Sequence, residues 1–139
     1  MIRGYRFFDH TADFGLEIFG RDAPRLFEEA ADALFDLITG PSEPERSRQC
    51  KVEVSGQDWA DLMVNWLREL LYLWNGESRL VRRTVVDALS ETHLQATLTC
   101  EAYDPGRHEI RNEIKAVTYH QIDVGPFEDG WRARVVFDI

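Results

Sequence analysis

The sequence predicts an α+β fold: a single domain in which two amphipathic helices pack on one face of a mostly antiparallel or mixed sheet of about six strands. Three observations predict it. Residues 22–41 and 58–76 carry apolar side chains at helical spacing. Six shorter runs alternate apolar and polar residues at period two. The two patterns also need each other, because each helical stripe must be covered and each alternating strand offers one apolar face to cover it. A chain of 139 residues suits one domain, here 1–139. At that length folding buries roughly 68–70% of the surface the unfolded chain exposes, so the core needs no staple.

The elements follow in order. The first strand is GLEIFG, 15–20, reached through FFDHTADFG, 7–15. The first helix is DAPRLFEEAADALFDLITGP. Asp22 is suited to the N-cap, and Pro24 falls in the first turn, where a missing N–H does no harm. Leu26, Phe27, Ala30, Ala31, Leu34, Phe35 and Ile38 form its apolar face, and Gly40-Pro41 is expected to stop it. The segment 40–49, with two prolines and two serines, reads as a surface loop. CKVEVSG, 50–56, is the second strand. The second helix is DWADLMVNWLRELLYLWNG, with Asp58 as cap, Asp61 near the positive helix start, and Asn75-Gly76 as the expected end. Residues 80–89 and 93–103 read as a hairpin turning near Ser90-Glu91-Thr92. Residues 115–124 and 131–139 read as a second hairpin across GPFEDG.

Composition narrows the function classes. The chain is 44% hydrophobic and 29% charged, which is a globular composition. No run approaches the ~20 apolar residues of a membrane span, and the N-terminal residues lack a secretory signal's apolar stretch, so the expected location is cytoplasmic. The net charge is −9. Its basic residues are scattered, so direct tight nucleic-acid binding is not expected, whereas metal ions or a basic protein partner fit the charge. Cys50 and Cys100 show no metal-ligand spacing and are expected to be buried free thiols. There is no G-x-S-x-G, P-loop or G-x-G-x-x-G motif.

Two places can carry chemistry. The stretch 7–15 puts Asp9, His10 and Asp13 within five positions, as a tight turn or as half of a cation site. The last strand-like run ends in Asp138-Ile139, where a side-chain and a terminal carboxylate repel each other unless a positive group lies between them. Asp9 or Asp13, with Asp138 and the Ile139 carboxylate, would suit a hard cation, Ca2+ or Mg2+, although spacing alone does not establish that 9–13 and 138–139 meet. In EIKAVTYH, 113–120, Lys115, Tyr119 and His120 form either a polar patch or a simple alternating strand. The isolated histidines, His93 and His108 among them, read as packed or solvent-facing, since no zinc-ligand spacing is present.

DHTADFGLEIFG (9–20), LRELLYLWNGES (67–78), EIKAVTYHQI (113–122) and VVFDI (135–139), in this order and at these separations, resemble the archease family. The resemblance covers almost the whole chain. It implies a non-enzymatic protein cofactor of the RNA-splicing ligase that joins a 2′,3′-cyclic phosphate or 3′-phosphate end to a 5′-hydroxyl end, in tRNA splicing or RNA repair. Such a cofactor promotes guanylylation of the ligase's active-site histidine and multiple turnover, and broadens its nucleotide choice. The resemblance further implies a divalent cation, Ca2+ or Mg2+, held by Asp13, Asp138 and Ile139, the last through its backbone or terminal carboxylate. Asp9 and His10 are then candidates to orient those ligands, and Lys115 and His120 to contact the partner. Asn65 stands where the pattern leads one to expect an acidic residue. The rival readings are a metal-dependent phosphoesterase or nucleotidase, with His10 or His120 as general base, and a chaperone-like interaction module.

Overall fold

A computed structural model describes residues 4–8 and 13–139. Its elements are β1 (Tyr5–Phe8), β2 (Asp13–Gly20), α1 (Ala23–Ile38), β3 (Arg48–Ser55), α2 (Trp59–Glu77), β4 (Arg79–Ser90), β5 (His93–Ala102), β6 (Ala116–Phe127) and β7 (Gly130–Asp138). The α+β class and both helices are as expected. The strands differ in two respects: β1 adds a seventh, and they divide into two antiparallel sheets, β1-β2-β7-β6 and β3-β5-β4. Each helix touches both sheets, α1 against β2 and β4, and α2 against β6, β3 and β4. A period-two pattern marks which face of a strand is buried, but not which strands share a sheet.

Both strand-to-helix crossings are built alike. β2 leads into α1 through Gly20-Arg21-Asp22, and β3 leads into α2 through Gly56-Gln57-Asp58. Each aspartate caps its helix, Asp22 accepting from the Arg25 N–H and Asp58 from the Asp61 N–H, both at 2.9 Å. Each glycine lies so close to the first turn that an added Cβ would stand 2.5 Å from the Leu26 nitrogen or 2.6 Å from that of Leu62. The chain can therefore fold back tightly onto its own helix start only where a side chain is missing.

The ends of the helices are set by tertiary partners. α1 stops at Ile38, with Thr39 extended. Its last carbonyls are taken by the loop after β5: Asn112 Nδ2 donates to Leu37 O at 2.7 Å and the Arg111 N–H to Ile38 O at 2.8 Å. α2 runs through Asn75-Gly76 to Glu77, and Ser78 takes the left-handed turn at φ 55°. Asn75 is used otherwise, its amide holding Ile114 O at 3.0 Å.

The core lies where the two helices meet the two sheets. Trp66, Phe27, Phe35 and Phe137 are its largest fully buried side chains. The buried Trp66 indole donates to Phe27 O at 2.9 Å, tying α2 to α1. Trp59 continues that seam, its ring centre 6.1 Å from Phe27 and 4.9 Å from Trp131. Among the described residues, no helix is long and apolar enough to cross a membrane.

A polar latch closes the end of β5. The Glu101 and His108 side chains are both only 1% exposed and are directly bonded. His108 Nδ1 accepts the Asp104 N–H at 2.9 Å, so the ring's N–H is Nε2, facing Glu101. The second Glu101 oxygen accepts the Glu45 N–H at 2.8 Å, and Arg107 lies 3.4 Å from the first. Burial pushes the Glu101 carboxyl up, but the Glu45 N–H, His108 and Arg107 together outweigh it, leaving the carboxyl below its usual range.

Two outcomes follow. Trp66→Ala should cost about 3–5 kcal/mol in urea unfolding, and a loss under ~1 kcal/mol would contradict the seam. Glu101 titrates lower when folded, so its stabilisation is complete above the ordinary glutamate value of about 4.3 and is lost as pH falls through the folded value. The stability gap between the parent and Glu101→Gln should be widest at neutral pH and narrow below about pH 4.3, as read by denaturation at a series of pH values.

Candidate functional site

The sheet end that carries Asp13 and Asp138 is assembled from three strands. β2 and β7 pair without irregularity from Asp13↔Asp138 to Gly20↔Trp131. Two acidic residues thus stand at directly opposed positions of the pairing. Asp138 also pairs with Ala116 of β6, and the Lys115 N–H donates to Asp138 O at 2.7 Å. The β7 end is therefore held between β2 and β6. Asp138, Ile139 and Lys115 are exposed there. Asp9 and His10 lie outside the described residues. Among the described residues, no group of three or more His, Cys, Asp or Glu side chains is gathered closely enough to hold a metal.

Two steps further along β6 the strand bulges. Thr118 pairs with Val136, and Asp123 with Arg134, so residues 119–122 face the single residue Val135. Gln121 turns at φ 54°. The bulge re-aims what the sequence pattern would alternate, as bulges beside functional sites do. Tyr119 is nearly half exposed, at 47%. Its hydroxyl donates to Asp61 Oδ1 at 2.7 Å, and the Arg68 guanidinium sits 4.7 Å from its ring centre. Arg68 also donates to Val117 O at 3.2 Å from both Nε and Nη2. Tyr119 is thus braced by α2, through Asp61 in its first turn and Arg68 near its middle. Asp61 and Arg68 escape a sequence reading as site neighbours, because each looks like an ordinary polar position of a helix. His120 is exposed in the same bulge, its N–H 3.3 Å from Thr118 Oγ1.

The remaining polar candidates serve the fold. His108 is buried in the latch, and His93 Nε2 lies 3.3 Å from Glu53. Cys50 and Cys100 are free thiols 3.5 Å apart, Cys100 buried and Cys50 half-buried. Asn65, on α2, donates to Ser55 O at 2.9 Å and so ties the end of β3 to the helix.

Fold and geometry together define a small acidic α+β domain whose exposed polar groups include a cluster at one end of its larger sheet. The model of the Archease protein family (MTH1598/TM1083) matches residues 5–139. A protein archease of Methanosarcina barkeri is 34% identical, covering 97% of this chain and 95% of the relative. One of Pyrococcus abyssi is 36% identical over 99% of this chain and its whole own length. The solution structure of Methanobacterium thermoautotrophicum protein 1598 superposes with a TM-score of 0.78 at 34% identity, covering 99% of this chain and all of that one. The chain belongs to the archease family.

The bond from Tyr119, with that from the Gln57 N–H, holds the Asp61 carboxyl below its ordinary range. Tyr119→Phe should raise the Asp61 titration midpoint, followed by carboxyl-carbon NMR. An unmoved midpoint would mean that the hydroxyl does not bind Asp61 in solution.

Proposed function

We propose that this protein activates the RNA ligase that joins a 2′,3′-cyclic phosphate or 3′-phosphate end to a 5′-hydroxyl end, by promoting guanylylation of the ligase's active-site histidine and multiple turnover. The observation that carries this reading is family membership along 5–139, joined to the register that sets Asp13 opposite Asp138. In this reading the protein is a cofactor of the ligase, not an enzyme, and the RNA task is tRNA splicing or repair in the cytoplasm.

Asp13, Asp138 and Ile139, the last through its backbone or terminal carboxylate, would hold a Ca2+ or Mg2+. The donor set fits: all are oxygen atoms, as hard cations require, and a positive ion offsets the repulsion of opposed acidic positions. Bound there, the ion supplies positive charge that phosphate oxygens can share. The protein's own part is positioning. The unbroken β2–β7 pairing and the bond from Lys115 to Asp138 O fix the strand end. Tyr119, Arg68 and Asp61 offer a braced aromatic surface nearby for the ligase to contact. A net charge of −9 favours approach to a basic protein cleft and disfavours free RNA. Placing groups in line is the main resource in transfers at phosphorus.

Asp13→Ala and Asp138→Ala should each lower ligase turnover roughly tenfold or more in a guanylylation and joining assay. An extension of a few residues beyond Ile139 should act in the same way. Full activation by both alanine variants would remove the cation from the mechanism. Failure of the unaltered protein to stimulate a co-purifying ligase would remove the ligase reading itself.

A further inference from the structure

Three arginines that play no part in that reading line one cavity of about 260 Å3, at the end of the smaller sheet. Arg48 opens β3 and Arg79 opens β4, on either side of β5. Arg48 is opposite Cys100 and Arg79 opposite Ala102, positions two apart on β5 that share a face. Arg46, at φ 50°, comes in from the loop before β3.

Most of the chain's other arginines are engaged, Arg111 being, among the described residues, a further one whose side chain is not. Arg25 is paired with Glu28, Arg107 with Glu45 and Glu101, and Arg132 with Glu17 and Asp123. Arg82 donates to Gly40 O and Ser42 Oγ. The side chains of Arg46, Arg48 and Arg79 have no ion pair or hydrogen bond among the described residues. In a chain with 25 acidic residues against 16 basic ones, three guanidiniums lining one cavity with no carboxylate paired to them stand out. They repel one another, and an anion between them would relieve that repulsion.

The rest of the lining does not cancel their charge. Glu101 lines the cavity, but its carboxylate is closed to solvent and is occupied by His108, Arg107 and the Glu45 N–H. Cys100 adds no charge, because burial and then the neighbouring Cys50 push its thiol up to about 12. Glu77 is near enough to act on Cys100, but it does not line the cavity.

We propose that Arg46, Arg48 and Arg79 form a binding site for the phosphate or pyrophosphate group of a small ligand. Guanidinium forks match the oxygens of phosphate, and three of them can surround one group. The cavity is smaller than the about 300–1,000 Å3 of pockets that engulf a whole small molecule. It therefore takes the anionic group and leaves the remainder of the ligand outside. A small anion is favoured over an RNA backbone, because the flanking phosphates of an RNA would face a protein of net charge −9.

The test is titration of the full chain with pyrophosphate, in EDTA to silence any cation site, by calorimetry and by NMR of the arginine Nε–H groups. Saturable one-to-one binding is expected, with the resonances of all three arginines moving. Binding should weaken about tenfold or more in the double variant R46Q/R48Q, whose altered residues are both exposed, and also in R79Q. It should persist in Asp13→Ala, which separates this site from the proposed cation site. Absence of saturable binding, equal affinity in R46Q/R48Q, or shifts confined to other arginines would overturn the proposal. So would a short oligoribonucleotide that binds through its 3′-phosphate while pyrophosphate does not, because the site would then belong to RNA ends. If R79Q fails to fold, R46Q/R48Q alone decides.

Discussion

The pairing of β2 with β7 is the constraint on which the rest depends. It runs unbroken through eight residue pairs in the middle of the larger sheet. Leu16, Ile18, Ala133, Val135 and Phe137 share its core face through that register and are all fully buried. A slip of one residue would turn every one of them to the opposite face, so burial enforces the register strongly. The same register sets Asp13 opposite Asp138. A geometric feature of the candidate site is thus held in place by apolar packing along the two strands.

From that pair the architecture spreads by two similar crossings. Each sheet sends a strand through Gly-x-Asp into a helix, and each helix then lies against both sheets. The glycine permits close approach, and the aspartate satisfies an N–H that the close approach would otherwise leave unpaired. The Trp66 bond to Phe27 O joins the helices across their contact. The two sheets are consequently held by one shared helical layer, and the sites on each are far from independent of the core, though they use different residues.

Charge is distributed with the same economy. A chain of net charge −9 engages many of its arginines with carboxylates or carbonyls, and places Glu101 in a closed network with His108 and Arg107. Like charge is concentrated at the opposed Asp13 and Asp138 positions, at the arginine-lined cavity, and on α1, where burial and the neighbouring Glu29, Asp36 and Glu28 push the Asp32 carboxyl up to about 6. Like charge held together in this way costs stability unless an opposite charge is near.

The sequence by itself determined the local features: both helices, both N-caps at Asp22 and Asp58, the alternating strands, and the hairpins around Glu91 and Glu128-Asp129. Those depend on spacings of a few residues, which a one-dimensional pattern records. It also made the family legible, through ordered motifs that include Asp13 and the last two residues. Tertiary structure alone decided what depends on distant partners. β1 is a strand because β2 offers it an edge, and the strands divide into two sheets because two helices lie against both. Tyr119 reaches Asp61 because three extra residues bulge β6. Arg46, Arg48 and Arg79 share a cavity because β5 comes between strands that are far apart in the chain. Such meetings are products of long-range pairing, and no local periodicity carries them.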